Sequence, residues 1–197
     1  MTKALLVVIF AILFIVVTLP KSEAKVEAKK ADPPVYCAKL KTAEERILCR
    51  LNFYSEMLVK LGPPYVWGGF WGILGGDCSG QIYWICRRAG LPVTRTTSLK
   101  MWLNKGAWPG ERILAKAGAH EKAQFANLGF IDYSKDRPRG HVVFIVLNAE
   151  DKNGKRIILF REASSSKKIF KETIMRKGDY RWVRLYGIIS LDLTPGF

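Results

Sequence analysis

The chain has 197 residues, 49% of them hydrophobic, and its 32 Lys and Arg against 17 Asp and Glu give a formal net charge of +15. That length suits one globular domain with a tail, and the apolar fraction is ample for one core; no internal repeat appears at solenoid periods. A basic surplus of this size favours an anionic partner, either nucleic acid or an anionic envelope polymer.

The N-terminus decides against nucleic acid. Residues 1–24 read as an export signal: Lys3 supplies a short positive region, Ala4 to Leu19 an apolar run closed by Pro20, and Ser22-Glu23-Ala24 a small-x-small cleavage site. As a helix the run would be roughly 24 Å, long for a signal and short for a span, so cleavage is expected over retention as a membrane anchor. A membrane is a partner only if the segment is retained. Either way the rest is delivered outside the cytoplasm. Residues 25–34 alternate Lys, Glu and Ala before Asp32-Pro33-Pro34 and read as a linker, leaving 35–197 as the domain.

The first domain helix starts near Thr42, where Thr42-Ala43-Glu44-Glu45 matches a capping box. Ile47, Leu51, Tyr54, Leu58 and Leu61 form an inward stripe that stops before Gly62-Pro63-Pro64. Four cysteines in an exported chain invite disulfides. Cys37 precedes this helix and Cys49 lies off its apolar stripe, so a Cys37–Cys49 bridge is the preferred pairing.

The chain is organised around Tyr65-Val66-Trp67-Gly68-Gly69-Phe70-Trp71-Gly72-Ile73-Leu74-Gly75-Gly76-Asp77-Cys78-Ser79-Gly80. An aromatic, glycine-rich loop runs into a helix whose apolar face is Ile82, Ile85, Cys86 and Ala89, closed by Gly90-Leu91-Pro92. Cys78 and Cys86 are two turns apart on it, roughly 12 Å, too far to bond to each other. Free N–H groups at a helix start favour a thiolate and can receive the oxyanion formed when a thiolate attacks a carbonyl.

Tyr65-x-Trp67-Gly68-Gly69, a spacer, and Asp77-Cys78-Ser79-Gly80 together resemble the active-site segment of NlpC-type cysteine peptidases, which cut bacterial cell-wall peptides. The resemblance implies a papain-like α+β fold with Cys78 as nucleophile. It also implies the Cys78 N–H and Tyr65 hydroxyl as oxyanion donors and Asp77 and Ser79 at polar groups of the substrate. Asp77 reads equally well as a helix N-cap. In Thr94-Arg95-Thr96-Thr97-Ser98, Arg95 and Thr97 loosely match a substrate-contacting Arg-x-Ser/Thr segment, while Lys100 stands where that family's glutamine is expected. Residues 110–127, with His120, are weakly patterned, and the family's Pro-Gly-Asp is missing ahead of Gly129-Phe130-Ile131.

Two β-rich runs follow, from His141 to Leu147 and from Arg156 to Glu162, separated by the turn-forming Asp151-Lys152-Asn153-Gly154. They resemble the family's histidine strand and the strand of its third residue, with Glu162-Ala163-Ser164 where many relatives carry His-Ala-Ser. A four-residue loop at 151–154 pairs Glu150 with Lys155 and puts Glu162 opposite Val143, diagonal to His141 on one face, about 7–8 Å between backbones. A loop at 150–153 would put Glu162 directly opposite His141; a tight Asn153-Gly154 turn would put it opposite Ile145, out of reach. His141 is preferred as base over His120, which has neither a strand pattern nor a family match. Ile169 to Met175 and Tyr180 to Ile189 read as further strands.

The expected domain is α+β, with N-terminal helices packed on an antiparallel sheet or small open barrel. Its chemistry is amide hydrolysis by Cys78, His141 and Glu162 on peptidoglycan stem peptides, with the bond between D-glutamate's γ-carboxyl and diaminopimelate as the family's usual target. An amidase or acyltransferase on the same scaffold, and a wall-binding module without turnover, remain open beside it. No His/Cys cluster has metal-ligand spacing, so neither a metal nor a cofactor is called for.

Overall fold

The computed structural model describes residues 32–132 and 140–194. The expected signal at 1–24 and most of the linker at 25–34 lie outside those residues. From Pro33 onward the chain forms one unit.

Local signals set the first elements. A short helix α1 (Val35–Ala38) leads to α2 (Ala43–Leu61), where Thr42 and Glu45 form a reciprocal capping box and Gly62 ends the helix in the left-handed conformation. Ile47, Leu51, Tyr54 and Leu58 are buried, but Leu61, the last residue before the Gly62 cap, is 43% exposed. A disulfide joins Cys37 to Cys49, closing α1 onto α2. After the aromatic loop, α3 (Cys78–Ala89) begins at the N-cap Asp77 and ends at Gly90. The short α4 (Ser98–Leu103) is capped by Thr97 and turns Met101 and Trp102 inward.

The remainder builds one antiparallel sheet from β1 (Gly110–Leu114), β2 (Leu128–Ile131), β3 (His141–Glu150), β4 (Arg156–Ser164), β5 (Ile169–Arg176) and β6 (Leu185–Leu191). The strand order is β1-β6-β2-β3-β4-β5. A helical turn, α5 (Ala119–Lys122), fills part of the weakly patterned segment. The run from Tyr180 departs from expectation: Tyr180–Arg184 is a helix, α6, and only from Leu185 does the chain become a strand.

Both faces of the sheet are covered. On one, α2 and α3 bring Leu51, Leu58, Ile82 and Ile85 against Phe130 and Phe144. On the other, Val143, Ile145, Phe160 and Ile188 pack with Trp182 of α6. Each such side chain taken from water contributes about 1.5–3 kcal/mol, so α3 is held to the sheet by packing rather than by its own helix propensity.

The hairpin of β3 and β4 differs from the expected loop. Glu150 pairs with Arg156 and the Asp151 N–H donates to the Lys155 carbonyl at 2.8 Å, so the turn does not begin with a Glu150–Lys155 pair. Continued unbroken, that register would set Glu162 across from Phe144, on the face opposite to His141. A bulge at Val146 intervenes: Leu147 pairs with Leu159, but Ile145 pairs with Phe160 and Phe144 with Arg161. The extra residue returns Glu162 to the position diagonal to His141.

Candidate active site

Three elements meet at the site. Asp77 fixes the start of α3: its Oδ1 accepts the Gly80 N–H at 2.6 Å and the Ser79 hydroxyl at 2.8 Å, while Oδ2 accepts the Gly68 N–H at 3.0 Å. Arg95 adds an ion pair to Asp77 Oδ2 at 2.9 Å and donates to Ser79 Oγ at 2.8 Å. Asp77, Ser79 and Arg95 are thus bound to one another. The N-cap role holds for Asp77, and the same carboxylate ties loop, helix and Arg95 together. Tyr65 is bridged to Gly76, two residues ahead of Cys78, and its N–H donates to the Lys168 carbonyl at 2.8 Å.

Cys78, as the first residue of α3, has an N–H with no carbonyl partner inside the helix. It is unbridged and 8% exposed, just beneath the surface. Its charge and side chain act on His141, at the first position of β3. His141 Nε2 lies 2.7 Å from Glu162 Oε2, so Nδ1 is the ring nitrogen that Glu162 does not engage.

Glu162 has no exposed surface and is fully engaged. Its Oε1 accepts from Arg181 at 2.7 Å and from the Thr173 hydroxyl at 3.1 Å, with Lys171 Nζ at 3.9 Å. A carboxylate so buried is stable only with several donors. Burial raises its pKa, but the hydrogen bonds and charges of His141 and then Arg181 outweigh it and hold Glu162 down at about 2. For His141, burial disfavours the imidazolium; the charge and hydrogen bond of Cys78, followed by those of Glu162, overcome this and push it up to about 9. Cys86, fully buried on the same helix, differs: desolvation pushes its thiol up, as befits a core residue.

Solved structures share this architecture. An NLP/P60-family, lipoprotein-like protein from Staphylococcus aureus superposes with a TM-score of 0.50 at 21% identity, over 73% of this chain and 40% of its own. The fold is that of the NlpC/P60 proteins. NlpC2 and NlpC1 from Trichomonas vaginalis align at TM-scores of 0.47 each, with 17% and 18% identity, over 74% of this chain and 44% and 42% of theirs. The chain spans less than half the length of these structures. No family model and no curated protein matches it.

Within the NlpC/P60 fold the second histidine has another place. His120 stacks on Trp182 at 4.4 Å, and its Nε2 lies 2.9 Å from the Trp182 carbonyl oxygen, on the side of the sheet away from α2 and α3. Arg181 and Thr173 are the residues that sequence reasoning missed. Arg181 was hidden inside a run that read as strand, and Thr173 by a pairing of β4 with β5 that no local pattern specifies. The faint signal for Thr173 is its alternation with Lys171 on β5, which puts both on one face.

Proposed function

We propose that this protein is an exported cysteine peptidase that hydrolyses peptidoglycan stem peptides, with the amide between D-glutamate's γ-carboxyl and diaminopimelate as its target. The observation that carries the reading is the buried pair of His141 and Glu162, with the unbridged Cys78 at the helix start acting on the same ring. The sulfur of Cys78 attacks the amide carbonyl, and the helix-start N–H of Cys78, assisted by the Tyr65 hydroxyl, receives the oxyanion. His141, protonated at rest, gives its Nδ1 proton to the leaving amine. It then takes a proton from water as the acyl-enzyme is hydrolysed. Glu162 accepts from Nε2 throughout, holding the tautomer and stabilising the imidazolium.

Arg95, Asp77 and Ser79, bound to one another, act as a braced contact for polar groups of the substrate. The net charge of +15 fits a protein working among anionic envelope polymers. Among the described residues no helix is long and apolar enough to cross a membrane, so membrane attachment rests on whether residues 1–24 are retained.

Incubating the protein with purified muropeptides beside Cys78→Ala tests the reading, with products identified by mass. Fragments split within the stem peptide, absent for the variant, are expected. New conjugates would mean acyl transfer, and bound but intact muropeptide would mean a wall-binding module.

A further inference from the structure

The loop ahead of Cys78 exposes an unusual amount of apolar surface. Trp67 is 84% exposed, Leu74 54%, Trp71 51% and Phe70 41%. Exposed apolar side chains scattered singly need no explanation, but four within the eight residues from Trp67 to Leu74 mark a binding surface.

The group is held rigidly to the helix of the nucleophile. The Asp77 N–H donates to the Gly69 carbonyl at 3.1 Å, the Trp71 N–H to the Gly75 carbonyl at 3.0 Å, and Gln81 Nε2 to the Gly72 carbonyl at 2.9 Å. Gly80 makes the close approach possible, since a Cβ there would run into the Gly69 carbonyl oxygen. Phe70 stacks on Trp71 at 5.7 Å, with Arg95 5.9 Å from its ring centroid. The indole of Trp67 remains open.

The chemistry of the loop selects the occupant. Residues 62–76 contain no charged side chain, whereas a loop that docks on an anionic bilayer carries Lys or Arg among its aromatic residues. A fixed offset from the nucleophile is also of no use to a bilayer. It matters for a ligand covalently joined to the scissile peptide. A neutral amino-sugar ring fits both conditions, because its face of C–H bonds packs on an indole face.

Resting on the proposed stem-peptide hydrolysis, we infer that Trp67 and Trp71 form a stacking platform for the glycan that carries the stem peptide. Glycan-linked peptides are then preferred over free ones.

The test compares kcat/KM for a disaccharide-tetrapeptide and for the same tetrapeptide without sugar, using wild type, Trp67→Ala, Trp67→Phe and the Trp67→Ala/Trp71→Ala pair. Wild type should prefer the sugar-bearing substrate about tenfold or more. The double variant should lose that preference, its kcat/KM falling about tenfold further on the sugar-bearing substrate than on the free tetrapeptide, and Trp67→Phe should keep most of it. An unchanged ratio, or equal losses on both substrates, overturns the platform. A parallel arm adds the peptide-free disaccharide to Cys78→Ala and follows tryptophan fluorescence. A saturable shift that disappears with Trp67→Ala supports the platform even if neither tetrapeptide is cut, an outcome that would sink the hydrolase reading instead. No shift in this arm counts against the platform. Sedimentation with vesicles of phosphatidylglycerol that depends on Trp67, with no sugar preference, would assign the loop to a bilayer and overturn the proposal.

Discussion

Glu162 Oε2 lies 2.7 Å from His141 Nε2, and Glu162 has no exposed surface. A carboxylate held this deep beside an imidazole commits the ring to one orientation and one charge state. Replacing it tests that commitment most directly. Glu162→Gln keeps the shape but withdraws the charge from both His141 and Arg181. Muropeptide hydrolysis should fall about 10²- to 10⁴-fold, mainly in kcat, and stability should drop by about 1–3 kcal/mol. Steady-state kinetics and denaturant unfolding measure the two. Full activity in a folded Glu162→Gln would remove Glu162 from the mechanism.

The site also sets a pH window for stability. His141 is raised from 6.5 to about 9, so its contribution is complete below pH 6.5 and is lost as pH climbs toward 9. Glu162 is lowered from 4.5 to about 2, so its contribution is complete above pH 4.5 and fades as pH falls toward 2. Tm should therefore be highest between these two ordinary values and decline on both sides. In Cys78→Ala the sulfur's charge and hydrogen bond are gone while burial persists, so NMR titration should show His141 well below its wild-type midpoint.

Arg181 reaches Glu162 from α6, at 2.7 Å from Oε1. It is a positioning residue. Arg181→Met removes one of the charges that hold Glu162 ionised, so the acid limb of kcat should move to higher pH while KM changes little. Arg181→Lys should restore part of the profile. A fall in Tm with an unchanged pH profile would mean that Arg181 is only structural.

Gly80 bears on the joint between loop and helix. The Cβ of Gly80→Ala would collide with the Gly69 carbonyl, a backbone atom that cannot swing aside. The variant should lose about 3 kcal/mol or more, or fail to fold. Gly106→Ala, whose Cβ would meet nothing closer than Asn104 Oδ1 at 3.7 Å, should unfold within about 0.5 kcal/mol of wild type. Equal stabilities in thermal unfolding would contradict the joint.

The two long helices, their caps and the nucleophile's place at a helix start were legible in the sequence, because capping boxes, 3.6-residue stripes and terminal glycines are local signals. So was the hairpin that follows His141. Whether His141 and Glu162 share a face was not, for side chains alternate along a strand and a slip of one residue reverses them. The turn at Asp151–Lys155 alone would have sent Glu162 to the wrong side; the bulge at Val146 brings it back. That bulge, and the helical turn that carries Arg181 to the same carboxylate, are imposed by packing between elements far apart in the chain. Short-range patterns hold no record of them.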